Sequence, residues 1–422
     1  MLANLIVVLY ALLPFTLLNS HSLPSGVFYA LVVANLTLLF QKRFAGVAVQ
    51  TKNYRLLIAS YSVLFLAVTA SSLYHGEWAG SNSEGALRFF LGVWILLASL
   101  PYIEVSRLRH AMWGVYIAAI SSTAILFWLV VNSKFRPETP ALIIVTYTSL
   151  MLLLSVILLY SMKWQLTPWP RIENALKALV AAATFTVFLS AQTRTGLLGM
   201  PVFVLLALVL FIGTKRPGRM IALLLISIAA LTTAVANSDA MRDRITQGIQ
   251  EVQACQGEKS TQTSSMCIRL QLWRTAIDGG INYPWMGLGD SGKFSQYVKE
   301  VAIPKGWTTQ YIVKEYFGEP HNDLLLVFFG FGFPGILGLL LIYFVPCTYF
   351  LPRLFRQADP QARAAAAMGL AVCLGFFFFG LTETMFRRMN TIGFYTAMVA
   401  LFMVLSEPKP SRQDKPAPPA LP

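Results

Sequence analysis

The stretch HNDLLLVFFGFGFPGILGLLLIYFVPCTYF, residues 321–350, opens on three polar side chains and then carries no charge. Its first apolar run, 324–332, is too short to cross about 30 Å of hydrocarbon, so it reads as a re-entrant or interfacial helix. The run that follows the Gly- and Pro-bearing FGFPG, at 334–352, is long enough to span. The same pattern repeats along the chain. Hydropathy predicts spans near 3–19, 25–41, 54–73, 86–103, 109–131, 141–162, 173–192, 195–213, 219–236, 334–352, 363–382 and 391–406. The fold class is therefore an all-α polytopic membrane protein with about 12 transmembrane helices and one large loop.

Composition supports that class. Of the 422 residues 56% are hydrophobic and 12% charged, and a mean hydropathy of +0.61 is incompatible with a surface wetted by charges. The formal charge of +14 would suggest nucleic acid in a soluble chain. In a polytopic one, cytoplasmic loops carry excess Lys and Arg, so no nucleic-acid partner is expected. Placing both termini in the cytoplasm collects Lys42, Arg43, Lys52, Arg55, Arg107, Arg109, Lys163, Arg171, Lys177, Lys215, Arg216, Arg219, Arg353, Arg356, Arg363, Lys409, Arg412 and Lys415 on that side. The short outside connections hold only Arg88, Lys134, Arg136, Arg194, Arg387 and Arg388. The N-terminus lacks the basic region of a signal peptide and reads as a retained first span.

Residues 237–320 then form one extracytoplasmic loop, far longer than a connector needs. Helices are expected at AMRDRITQGIQEVQA (240–254) and MCIRLQLWRTAI (266–277), followed by the turn-rich NYPWMGLGD (282–290). Basic residues in the loop are matched by acidic ones, Glu315 and Glu319 among them. Cys255 and Cys267 both fall there, and an oxidising compartment makes a disulfide between them the candidate pairing, with two free thiols as the alternative. The chain divides into transmembrane helices at 1–236, a loop domain with short helices at 237–320, the interfacial helix and last spans at 321–406, and a Pro-rich, disordered cytoplasmic tail at 407–422.

Polar groups at the outer ends of the spans are the candidates for chemistry. Arg194 interrupts two apolar helices in FLSAQTRTGLLGM, where it either anchors a helix end at the headgroups or binds a ligand. Arg269 and Arg274 lie on CIRLQLWRTAIDGG, Arg269 one turn before Trp273. A guanidinium can grip a diphosphate with two parallel charge-assisted bonds, although both could equally be solvated loop charges. His321 stands at the water–membrane boundary, where an imidazole can take a proton from a hydroxyl near neutral pH. Asn322 and Asp323 read as helix-capping residues. Arg387 and Arg388, beside Glu383 in LTETMFRRMN, break the charge sorting and either bind lipid phosphate or anchor at headgroups. There is no Walker A sequence, HExxH, Gly-x-Ser-x-Gly or CxxC, and metal ligands are not clustered. Few acidic residues fall well inside the spans, which weighs against an ion-coupled transporter.

Taken in order, the TRTG turn (193–196), RLQLWRTAI (269–277) leading into YPWMGLGD, and PHNDLLLVFFGFGFPGILG (320–338) resemble the O-antigen ligase and polymerase superfamily. The resemblance covers about residues 185–400 by motif and the N-terminal half by hydropathy alone. It implies a GT-C type glycosyltransferase fold in the bacterial inner membrane, multi-pass, with the active site facing the periplasm. It also implies that Arg194 and Arg269 hold the undecaprenyl diphosphate of an O-antigen donor and that catalytic His321 activates or orients an acceptor hydroxyl. Arg274, Arg387 and Arg388 match less certain positions and are possible additional substrate-binding residues. No cofactor and no metal are expected. With one dominant loop and a short tail, the chain resembles a ligase acting on lipid A-core more than a polymerase or a protein O-oligosaccharyltransferase. A lipid or polysaccharide exporter is the alternative from another class.

Overall fold

The computed structural model describes residues 1–132, 137–191, 193–213, 217–255, 263–315 and 318–407. The expected tail from Pro408 onward, and Lys134, Arg136, Lys215, Arg216, Lys409, Arg412 and Lys415, lie outside the described residues. No strand occurs among the described residues. Among the described residues ten helices are long and apolar enough to cross a membrane, and the two shorter apolar helices Thr195–Phe211 and Met389–Leu405 fill the remaining expected positions. Helices suit this role because every backbone N–H and C=O is satisfied within the segment. The chain is a polytopic all-α membrane protein.

Ile144–Lys163 is 89% buried and Pro360–Gly380 78%, so these two form the centre of the bundle, whereas Gly218–Ala236 is 0% buried and stands at its edge. Small residues set the tightest contacts. A Cβ on Gly114 would lie 1.9 Å from Ala11 O, and one on Gly338 would lie 2.6 Å from Leu64 Cα. Such approaches bring helix backbones together where lipid offers no hydrophobic drive for association.

At the end of the bundle away from the long loop, Lys177 departs from its reading as a loop charge. It lies within Pro170–Ser190, its side chain is fully buried, and its Nζ is 3.0 Å from Glu173 Oε1. Nζ also donates to Ser161 O and Trp164 O, both at 2.7 Å, while Glu173 accepts from Leu166 N, Thr167 N and Tyr116 Oη. A buried pair of this kind persists because each charge is hydrogen-bonded, and here it fastens the 161–170 connection.

The described residues of the long loop fold around helices Asp239–Ala254 and Ser265–Asn282. A disulfide joins Cys255 to Cys267 across a Cα–Cα distance of 5.4 Å, and Met266 N donates to Glu251 Oε2 at 3.0 Å. The loop has its own core of Ile268, Leu272, Ala276, Phe294, Tyr297, Val298, Ala302 and Ile312, completed by Phe329 from the bundle.

Phe329 reaches that core because the segment expected as a separate short helix is the first part of a single element, Asp323–Arg356, broken at Gly332 (φ 63°, ψ −157°). Pro334 has no N–H to continue the ladder through the break. The freed groups bond to the turn of the loop instead. Leu288 N donates to Phe329 O and Gly289 N to Gly330 O, each at 3.0 Å, and Phe333 N donates to Pro284 O at 2.8 Å. Only glycine permits this approach. A Cβ on Gly332 would sit 2.3 Å from Pro284 O, and one on Gly287 (φ +58°) 2.2 Å from Gly330 C.

Gly332→Ala and Gly287→Ala are expected to destabilise the protein by about 2 kcal/mol or more each, through both conformational strain and overlap. Gly306→Ala, also at positive φ (+68°) but with nothing within 4 Å of the added Cβ, should cost only about 1 kcal/mol. Thermal unfolding of the detergent-purified variants measures the difference.

Candidate active site

His321 joins the long loop to the kinked helix, and its φ of 49° lies in the left-handed region that side-chain-bearing residues rarely occupy. Such strain persists only where the surroundings hold the residue in place. Asn322 does so from the C-terminal side. Its Oδ1 accepts from Leu325 N at 3.0 Å, capping the helix as expected, while its Nδ2 donates to Leu381 O at 2.9 Å. From the N-terminal side, Trp273 Nε1 donates to Pro320 O at 2.8 Å. Asp323 does not act as a cap. It is buried, with Tyr343 Oη donating to its Oδ2 at 2.8 Å and Phe386 N to its Oδ1 at 3.0 Å.

The imidazole meets two carboxylates. His321 Nδ1 lies 3.4 Å from Glu383 Oε1 and 3.6 Å from Glu319 Oε1. Glu319 Oε2 in turn accepts from Arg387 Nη1 at 2.6 Å. Burial pushes the Glu383 carboxyl up, but the hydrogen bond and charge of His321 and the charge of Arg269 outweigh it and hold the group below its ordinary 4.5. Glu383 thus stays ionised at neutral pH. In the neutral imidazole, the tautomer with its proton on Nδ1 facing the carboxylates leaves the Nε2 lone pair to receive a proton.

The other candidate residues approach this centre along two routes. Trp273 pins its helix beside Pro320, and Arg269, one turn earlier, is close enough for its charge to act on Glu383. Thr382 Oγ1 donates to Thr195 Oγ1 at 3.1 Å, which sets the turn holding Arg194 next to the segment holding Glu383. Arg194 is half-buried and packs on Gly248 of the Asp239–Ala254 helix. It lines a groove of about 480 Å³ whose walls include Ile245, Ile249, Val252 and Met266.

Arg274 is not part of this gathering. Five residues beyond Arg269 it points about 140° around the helix, and it stacks over the Trp307 ring at 4.4 Å with Lys305 at the same distance. Arg388 is the N-cap residue of the last helix, and its carbonyl accepts from Thr391 Oγ1 at 2.8 Å.

Sequence reasoning missed Glu319 and Glu383 as partners of the imidazole. Glu319 entered only the charge balance of the loop and Glu383 only as a neighbour of Arg387. The available signal was a carboxylate in an outside turn otherwise rich in arginine. Nor did the sequence reveal that Glu319, His321 and Glu383 bring three possible metal-ligand atoms within 4.8 Å of one another. Protein cations already face both carboxylates, Arg387 at Glu319 and Arg269 near Glu383.

Residues 178–340 match the family model described as O-antigen ligase, a stretch that contains Arg194, Arg269 and His321 but ends before Glu383 and Arg387. No curated protein matches the chain. Members of the matched family are glycosyltransferase-like enzymes, ligases and polymerases that work on polysaccharide and lipid-linked substrates. The match over residues 178–340 supports placing this multi-pass membrane protein with the O-antigen ligase/polymerase superfamily, to which that stretch is similar.

Proposed function

We propose that the protein is an O-antigen ligase, transferring a glycan from undecaprenyl diphosphate to lipid A-core at the periplasmic face of a bacterial inner membrane. The observation that carries this reading is the carboxylate-braced imidazole of His321 with Arg194 and Arg269 brought to the same end of the bundle. Sorting of basic residues supports cytoplasmic termini, which turns that end toward the periplasm. The bundle is read as a GT-C type fold.

The chemistry is a direct displacement. An acceptor hydroxyl oxygen attacks the anomeric carbon, the new glycosidic C–O bond forms as the bond to the diphosphate breaks, and the configuration inverts. The hydroxyl proton passes to His321 Nε2, whose developing charge Glu383 and Glu319 stabilise. Charge gathering on the departing undecaprenyl diphosphate is met by Arg194 and Arg269, whose planar forks stay protonated at every physiological pH. Such fixed charges need no reorganisation as the leaving group departs. The displacement requires no divalent ion in this reading.

The test supplies purified protein with undecaprenyl-diphosphate glycan and lipid A-core in EDTA, with no nucleotide added. Wild type should transfer, and Arg194→Ala, Arg269→Ala and His321→Ala should each lose about 10²-fold or more in kcat while remaining folded. Arg274→Ala should stay within about threefold, since its ring contact lies away from the site. Chain extension from donor alone, without transfer to lipid A-core, would overturn the ligase in favour of a polymerase.

Glu383 gives a second test. Its carboxyl is held below 4.5 in the folded protein, so its ionised form contributes stability that is present above that value and lost as the pH falls through the depressed one. Glu383→Gln should therefore show a shallower acid-side fall in Tm than wild type. Its kcat should drop about 10²-fold, because the imidazole loses the anion that orients it.

A further inference from the structure

A second depression at the same end of the bundle, a cavity of about 230 Å³, is lined by Ser81, Asn82, Asp290, Ser291, Arg387 and Phe89 among others. We propose that it is the acceptor subsite and takes one neutral pyranose ring through its hydroxyl groups, an inference that rests on the transfer reading given above.

The cavity reaches the reacting centre through Arg387. Arg387 forms part of its wall, its guanidinium lies 2.6 Å from Glu319, and Glu319 lies 3.6 Å from the His321 imidazole. Two ionic contacts thus link the cavity wall to the imidazole, and Asp323, two residues after His321, lines the cavity as well.

The polar rim is organised before any ligand arrives. Asn82 Nδ2 donates to Asp290 Oδ1 at 2.5 Å, Ser291 Oγ donates to Asn82 Oδ1 at 2.7 Å, and Gly292 N donates to Asp290 Oδ1 at 2.7 Å. These bonds fix the side chains without exhausting them. The Asn82 amide has a second N–H, the Ser291 oxygen retains lone pairs, and Asp290 has a second carboxylate oxygen. Amide, hydroxyl and carboxylate in one fixed set match the alternating donors and acceptors of vicinal hydroxyls. Below the rim, Phe89 and Phe386 meet edge to face at 4.9 Å, and both line the cavity. Aromatic walls offer apolar area to the C–H face of a sugar ring.

Charge argues against the donor diphosphate as occupant. Asp290 lines this cavity, and its arginine, Arg387, is already paired with Glu319. Arg194 lines the separate groove beside the Asp239–Ala254 helix. The two depressions thus differ as an anionic, lipid-linked substrate differs from a neutral polyhydroxyl one.

The experiment measures transfer kinetics and, separately, binding of delipidated core oligosaccharide by saturation-transfer NMR, for the full chain in detergent. Ser81 is exposed, so Ser81→Trp narrows the mouth without entering the core; Asn82→Ala removes hydrogen bonds from the rim. Both variants should raise the acceptor KM about tenfold or more, with donor KM within about twofold, and both should weaken oligosaccharide binding. Unchanged acceptor KM and binding in both folded variants would overturn the subsite, as would a matching rise in donor KM. Wild type that binds the oligosaccharide without transferring glycan would overturn the transfer reading and leave a sugar site; wild type that neither binds nor transfers would overturn both.

Discussion

Three backbone hydrogen bonds between residues 284–289 and 329–333 join the loop to the bundle, and the geometry of the candidate site depends on them. They exist because Gly332 leaves the helical conformation and because Gly287 and Gly332 have no Cβ to hold the two chains apart. The break divides the duties of one long element. Before Gly332 the chain turns Phe329 into the core of the loop; after it, the helix is free to pack against neighbouring spans through Gly338. His321 sits immediately before this jointed element, so its position is determined from both sides: by the loop through Trp273 and Pro320, and by the bundle through Asn322 and Leu381.

Electrostatics then explains why charges survive at that position. Burying a carboxylate such as Glu383 costs free energy unless an opposite charge and hydrogen bonds compensate. His321 and Arg269 provide the compensation, and they lower the pKa where burial alone would raise it. Glu319 is ion-paired with Arg387 at 2.6 Å. At the other end of the bundle Glu173 and Lys177 satisfy each other completely, with donors and acceptors from the neighbouring connection, so that pair reads as a fastening. The difference at the loop end is that the charges surround an imidazole and adjoin open volume.

Much of the architecture was legible in the sequence because the bilayer imposes it. Apolar runs long enough to span must be helices, and most limits were found to within a few residues, Gly80–Ser99 starting six before the expected 86 and Asp323–Arg356 absorbing the short helix expected before 334; even Thr195–Phe211, just seventeen residues long, stood out between a polar turn and a basic one. Arg194 stood out because a charge between two apolar helices is costly, whereas Arg269 and His321 were singled out by the resemblance to the O-antigen ligase and polymerase superfamily. What remained hidden depended on contacts distant in sequence. Glu383 lies sixty-two positions from His321, and no local pattern distinguishes it from a solvated turn carboxylate. Arg274 looked equivalent to Arg269 in local composition, and its contact with the Trp307 ring is not written in the residues around it. Lys177 looked like a loop charge because nothing near it in sequence shows that Ser161 and Trp164 turn their carbonyls toward it.

The central claim is a division of labour in which Arg194 and Arg269 hold the diphosphate while His321 serves the acceptor. Equilibrium binding of undecaprenyl diphosphate, without glycan or acceptor, tests it most directly. Arg194→Ala and Arg269→Ala should each weaken binding about tenfold or more, whereas His321→Ala should bind as wild type does. Normal binding by both arginine variants, or a loss in His321→Ala equal to theirs, would contradict the assignment.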